Sequence, residues 1–192
     1  MIRIGIIGDI GSGKSFVAKQ FPFPVFNADL EVSKLYKRSR KCFIRLKKAL
    51  PSYIVSFPIK KEEISKAILS NNKNLKTISK IIHPEINFRM LSFIKKNKKK
   101  NFVILDIPLL IENKINTKKD ILIYVEAKQN QINKRLKKRL NFNLKIFNKF
   151  KKLQLSREIK KKKSNYIIKN NFNKNFIKKC VKSILRKIIL NA

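Results

Sequence analysis

An α/β fold built on a central parallel sheet is what this sequence predicts, and three observations carry it. Short, strongly apolar runs recur at 2–7, 102–106 and 121–125; strands buried on both faces of a sheet read this way. Longer stretches with helical spacing lie between the runs, so successive strands join by right-handed crossovers and lie parallel. The four glycines, Gly5, Gly8, Gly11 and Gly13, crowd into nine residues where the first run ends, which points to a backbone geometry that only glycine tolerates.

Taken in order, residues 2 to 7 form the first strand, apolar except for Arg3 and Gly5. Helical spacing runs from Ser15 to about Phe21, where Pro22 and Pro24 interrupt it. Val25-Phe26 is a brief second strand running into Asn27-Ala28-Asp29, and a helix follows through Tyr36. From about 40 to 97 the pattern is helical, with breaks expected at Pro51, Pro58 and Pro84 and a hint of strand near Ile54-Val55. This stretch reads as an α-helical insertion. Phe102 to Asp106 and Ile121 to Val125 suit central strands. The region 128–163 is charged and helical, with a break at Asn141-Phe142-Asn143. Tyr166-Ile167-Ile168 supplies a last strand, making about five, and a helix from Asn173 to Leu190 covers one face.

A chain of 192 residues fits one domain with a small inserted lobe. Its apolar residues make up 43% and are scattered in short runs, and the N-terminus lacks the form of a secretory signal. A soluble cytoplasmic protein is therefore expected, with Cys42 and Cys180 as reduced thiols. The formal charge of +37 raises nucleic acid as a partner. Lysine runs such as 98–100 and 160–163 are spread along the whole chain, however, and no aromatic stacking motif accompanies them. The abundance of Lys, Asn, Ile and Phe, all with A/T-rich codons, reads as a genome-wide bias. Such charge still steers polyanionic nucleotides toward the protein.

Gly8-Asp9-Ile10-Gly11-Ser12-Gly13-Lys14-Ser15 satisfies G-x-x-x-x-G-K-[ST], between a strand and a helix as the motif's mechanism requires. In such a loop successive backbone N–H groups point at phosphate oxygens, the lysine bridges the β- and γ-phosphates, and the hydroxyl holds Mg²⁺. Two of only four aspartates, Asp29 and Asp106, stand at the ends of expected strands, on the sheet edge where ligands bind. Asp106 is a candidate to order Mg²⁺ through water, and Asp29 to orient or accept the proton of an attacking hydroxyl. Each also suits a helix N-cap.

Further segments resemble one family, dephospho-coenzyme A kinase, from Met1 to about Val181. The phosphate loop is similar to its Gly-x-Ile-Gly-Ser-Gly-Lys-Ser, Asn27-Ala28-Asp29 to its Asp-Ala-Asp, and His83-Pro84 to its His-Pro at a helix start. Pro108-Leu109-Leu110-Ile111-Glu112 resembles its Pro-Leu-Leu-x-Glu, and Arg135 with Arg139 its Arg-x-x-x-Arg entering a lid. Residues 154–158 and 166–170 resemble its lid helix and its last strand with trailing Asn.

The resemblance implies a three-layer P-loop kinase domain over 1–192, with an acceptor-binding helical subdomain at 30–98 and a lid at 139–163. It implies transfer of phosphate from Mg-ATP to the ribose 3′-hydroxyl of dephospho-coenzyme A, with Asp29, Lys14 and Arg139 catalytic. ATP would contact the loop from Gly8 through Phe16, together with Arg139 and Asn170. The acceptor would meet Asp29, His83, Pro108, Leu109 and Glu112, and the metal Ser15 and Asp106. His83, the only histidine, is open between a structural place at a helix start and acceptor contact, and Glu112 between a surface carboxylate and the acceptor pocket. Asn27, Asn165, Phe172 and Phe16 depart from the family's usual Asp, Asp, Gly and Thr. Two other readings compete: a kinase for a nucleoside monophosphate or sugar acid, and a basic nucleic-acid-binding module. A monomer or weak homo-oligomer acting on small molecules, away from membranes, is expected.

Overall fold

The computed structural model describes residues 1–138 and 142–191. Five strands form one all-parallel sheet: β1 (Ile2–Gly8), β2 (Val25–Asn27), β3 (Phe102–Asp106), β4 (Ile121–Glu126) and β5 (Tyr166–Lys169), in the order β2-β3-β1-β4-β5. Both neighbours of β1 are fixed in register, with Gly5 opposite Leu105 on β3 and Leu122 on β4. The C-terminal ends of the strands, at Gly8, Asn27, Asp106, Glu126 and Lys169, therefore share one edge.

Alternation along the strands divides the side chains between two covered faces. Ile4, Ile6, Ile104, Ile123 and Val125 point into a core shared with helix α1 (Lys14–Ala18) and the C-terminal helix, where Val17, Ile177, Val181 and Ile188 are buried. On the other face Gly5 lies so close to Leu110 that a Cβ there would meet its Cδ2 at 2.5 Å. The remaining helices are α2 (Ala28–Arg38), α3 (Arg40–Ala49), α4 (Lys61–Ser70), α5 (Asn72–Lys96), α6 (Gln129–Lys137), α7 (Leu144–Lys151), α8 (Arg157–Lys163) and the C-terminal α9 (Lys174–Leu190).

The chain divides into two compact units. The sheet unit comprises residues 1–27, 97–142 and 150–192. The helical unit comprises residues 28–96 and 143–149, with a core that includes Leu35, Leu46, Ile54, Ile68 and Ile82. Within it, Glu31 of α2 pairs with Arg89 of α5 at 2.8 Å, and Glu85 of α5 lies 3.5 Å from Arg45 of α3.

Two local expectations are corrected. Pro84 does not break the helix: α5 runs unbroken through it. An interior proline costs about 3 kcal/mol, and the burial of Ile78, Ile81, Ile82 and Met90 along the same helix outweighs that. His83 is accordingly a mid-helix residue, not one at a helix start. No strand forms at Ile54-Val55, because Ile54 is buried in the helical unit while the backbone N–H of Val55 donates to Glu63 Oε2 at 3.2 Å.

Candidate active site

The loop between β1 and α1 is shaped by left-handed backbone at Gly11 (φ 87°) and Gly13 (φ 91°), a region that costs a side-chain-bearing residue steric energy. Space is restricted as well. A Cβ on Gly11 would meet Ile132 Cγ2 of α6 at 2.9 Å, and one on Gly13 would meet Phe172 Cε1 at 2.8 Å. Asn170, buried just past β5, donates from Nδ2 to Ser12 O at 2.8 Å, while its Oδ1 accepts from Phe172 N. Lys14 Nζ spans the loop, donating to Gly8 O at 3.1 Å and Asp9 O at 3.0 Å. Ser12 Oγ is buried without a hydrogen-bond partner. An unsatisfied hydroxyl beside Gly8, in a loop that an ammonium spans, suits a polar anionic ligand such as a nucleotide's phosphates.

A second layer comes from the chain around α8. Gln154 accepts from Ile10 N at 3.2 Å and donates to Gly8 O at 3.4 Å, so one amide grips the loop at two points. The Asp9 carboxylate takes Lys160 Nζ on Oδ1 at 2.8 Å and Arg157 Nε on Oδ2 at 2.5 Å. Arg157 also donates to Gln129 of α6. Burial pushes the Asp9 carboxyl up, but its bonds to Lys160 and Arg157 outweigh this and hold it below the ordinary carboxylate value. The nearby Tyr124 phenol is pushed up to about 12, first by burial and then by the Asp9 charge, and stays neutral.

The sequence-derived candidates fall on both units. The sheet unit holds Gly8 through Phe16, Asp106, Pro108, Leu109, Glu112 and Asn170; the helical unit holds Asp29 and His83. Phe16 turns toward the core rather than lying flat on the surface. Asp106 is buried and accepts a hydrogen bond from Asn27 Nδ2, so the departure at 27 replaces a carboxylate with a donor. Leu109 adopts φ 55°, Pro108 is exposed, and Glu112 Oε1 accepts from Leu155 N at 3.1 Å. Asp29 is exposed in the first turn of α2, directly after β2, and Ala28 rather than Asp29 begins that helix. Desolvation lowers the His83 pKa, which favours neutral imidazole at pH 7. Arg139 lies outside the described residues, while Arg135 stacks over the Phe172 ring at 4.1 Å. Phe172 keeps φ 62°, the left-handed backbone that explains why glycine suits this position.

A profile described as dephospho-CoA kinase matches residues 2–175. The chain belongs to the dephospho-CoA kinase family. A dephospho-CoA kinase from Wolbachia pipientis wMel is 33% identical over 194 residues, covering 98% of this chain and 99% of that protein. A crystal structure from Thermus thermophilus superposes with a TM-score of 0.76 at 25% identity, covering 97% of each chain. The dephospho-CoA kinase from Campylobacter jejuni shares the fold, with a TM-score of 0.62 at 20% identity over 97% of this chain and 96% of its own. Membership of the dephospho-CoA kinase family makes the chain an ATP-dependent phosphotransferase.

Sequence reasoning about this dephospho-CoA kinase family member missed Gln154, Arg157 and Lys160 as loop partners. Lys160 reads as one of four consecutive lysines, the form of a solvated face. The available signal was Asp9, an acidic residue inside a phosphate loop in a chain with only 11 acids, which requires basic partners if buried.

Proposed function

We propose that the protein transfers the γ-phosphate of ATP to the ribose 3′-hydroxyl of dephospho-CoA, giving CoA and ADP. The observation that carries this reading is the glycine-shaped loop with Lys14 across it and a buried, unpartnered Ser12 hydroxyl, within a chain of this family. Lys14 neutralises charge as the phosphoryl group moves, and Arg139 is a second cation for the same task. Asp29 orients the acceptor hydroxyl and takes its proton as the new oxygen–phosphorus bond forms. His83, Pro108, Leu109 and Glu112 serve the acceptor, and Asn170 the nucleotide side. The helical segment 30–98 is the acceptor-binding subdomain and 139–163 the lid, which excludes water when it closes.

Ser15 and Asp106 fit Mg²⁺, since a hydroxyl and a carboxylate are hard oxygen donors and leave positions for phosphate oxygens and water. Asp106 is buried at the end of β3, where a carboxylate acts through water. The ion, when bound, offsets negative charge on the phosphates. The same reading puts the protein in the cytoplasm, working as a monomer or weak homo-oligomer on small molecules without a specific nucleic-acid partner. No helix among the described residues is long and apolar enough to cross a membrane.

The test is an acceptor panel with labelled ATP. Dephospho-CoA is expected to be phosphorylated far faster than AMP, CMP, shikimate or gluconate. A preference for any of those four overturns the reading.

A further inference from the structure

Among the described residues, Lys160 is the one lysine or arginine that the fold buries, at 1% exposure. Its ammonium meets the Asp9 carboxylate, but Arg157 already holds the other oxygen of that carboxylate at 2.5 Å. Lys160 also lines the small cavity beside Gly8 together with Lys14, Gln154 and Glu112. Lys160 and Arg157 thus share the one Asp9 carboxylate, and Glu112, the acid in the cavity lining, is engaged by the Leu155 amide. Tyr124, pushed up to about 12, adds no negative charge. A buried ammonium with half a counter-ion is costly unless an anion completes it, and the anion this loop is shaped for is a polyphosphate.

We propose that Lys160 is a phosphate-binding residue of the ATP site. Its ammonium, parked on Asp9 beside Gly8 and Lys14, turns to a terminal phosphate oxygen of the bound nucleotide and leaves Asp9 to Arg157. Asp9 is then a competitor for that ammonium as well as its holder. This rests on the phosphotransferase reading above but not on the identity of the acceptor.

Isothermal titration with ATP, without acceptor, tests it on the full chain and on Asp9→Asn, Lys160→Met and Asp9→Asn/Lys160→Met. Releasing the ammonium by Asp9→Asn is expected to tighten ATP binding by about threefold or more, and Lys160→Met to weaken it by about tenfold or more, the scale of one charge-assisted hydrogen bond. The double variant is expected to stay about tenfold or more weaker than Asp9→Asn alone. If Lys160 only neutralises Asp9, the double variant returns to within about twofold of Asp9→Asn, and the proposal fails. Should the Lys160→Met proteins not fold, Asp9→Asn still decides: a folded Asp9→Asn protein that binds ATP no more tightly than the parent overturns the proposal. An inactive parent in the dephospho-CoA assay would sink the acceptor reading and leave these binding results untouched.

Discussion

At Gly13 two constraints meet: left-handed backbone, and a side-chain position already filled by Asn170 and Phe172. Gly13→Ala is therefore expected to destabilise the protein by roughly 1–3 kcal/mol and to abolish measurable ATP binding, read by thermal melting with and without nucleotide. Asp9 supports a prediction in pH. Its folded pKa is lowered from 3.8, so its stabilisation is complete above that value and is lost as pH falls through the folded value. Acid titration of the melting temperature should show a steeper loss below about pH 4 in the parent than in Asp9→Asn; parallel acid limbs would show that the ion pairs contribute nothing. In the proposed reaction Asp29 takes the proton of the acceptor hydroxyl, so Asp29→Asn should lower kcat by about a hundredfold or more with ATP still bound. Near-normal turnover in that variant would remove Asp29 from the chemistry.

Helix α9 buries Ile177 completely against the sheet, and Ile177→Ala should cost about 2–5 kcal/mol by chemical denaturation. In the helical unit Lys149 Nζ of α7 donates to Ile68 O at 2.6 Å and approaches Leu69 O at 3.5 Å, carbonyls in the last turn of α4 that have no partner within their own helix. Lys149→Met should cost about 1 kcal/mol through the lost cap, with the fold retained. The strands were legible because burial on both faces writes a continuous apolar run: β1, β3 and β4 begin where the pattern begins and end within a residue of where it ends. The phosphate loop was legible because its geometry demands glycines that the rest of the chain lacks. Pro84 was misleading, since the missing hydrogen bond is local whereas the compensating burial of Ile78, Ile81, Ile82 and Met90 is tertiary. Lys160 was hidden for the same reason: within the run 160–163 only packing of α8 reveals which lysine turns inward.

Across the molecule, a charge of +37 coexists with a loop whose inner partners are few and specific. The distributed lysines act at long range, so the on-rate for nucleotides should fall with ionic strength, whereas the part-buried Asp9 pairs are screened less. The division into a sheet unit and a helical unit follows the chain's own chemistry: continuous β-branched runs and the phosphate loop in one, amphipathic helices tied by Glu31–Arg89 and Glu85–Arg45 in the other. The family shared with dephospho-CoA kinases spans both. What the sheet edge would do with ATP is thus tied to what the acceptor presents, and the product reports both at once. The decisive measurement is ³¹P NMR of the product formed from dephospho-CoA and Mg-ATP. A new phosphomonoester on the ribose 3′-oxygen with stoichiometric ADP is expected; a phosphate at any other position, or ATP hydrolysed with the acceptor unchanged, would overturn the proposed reaction.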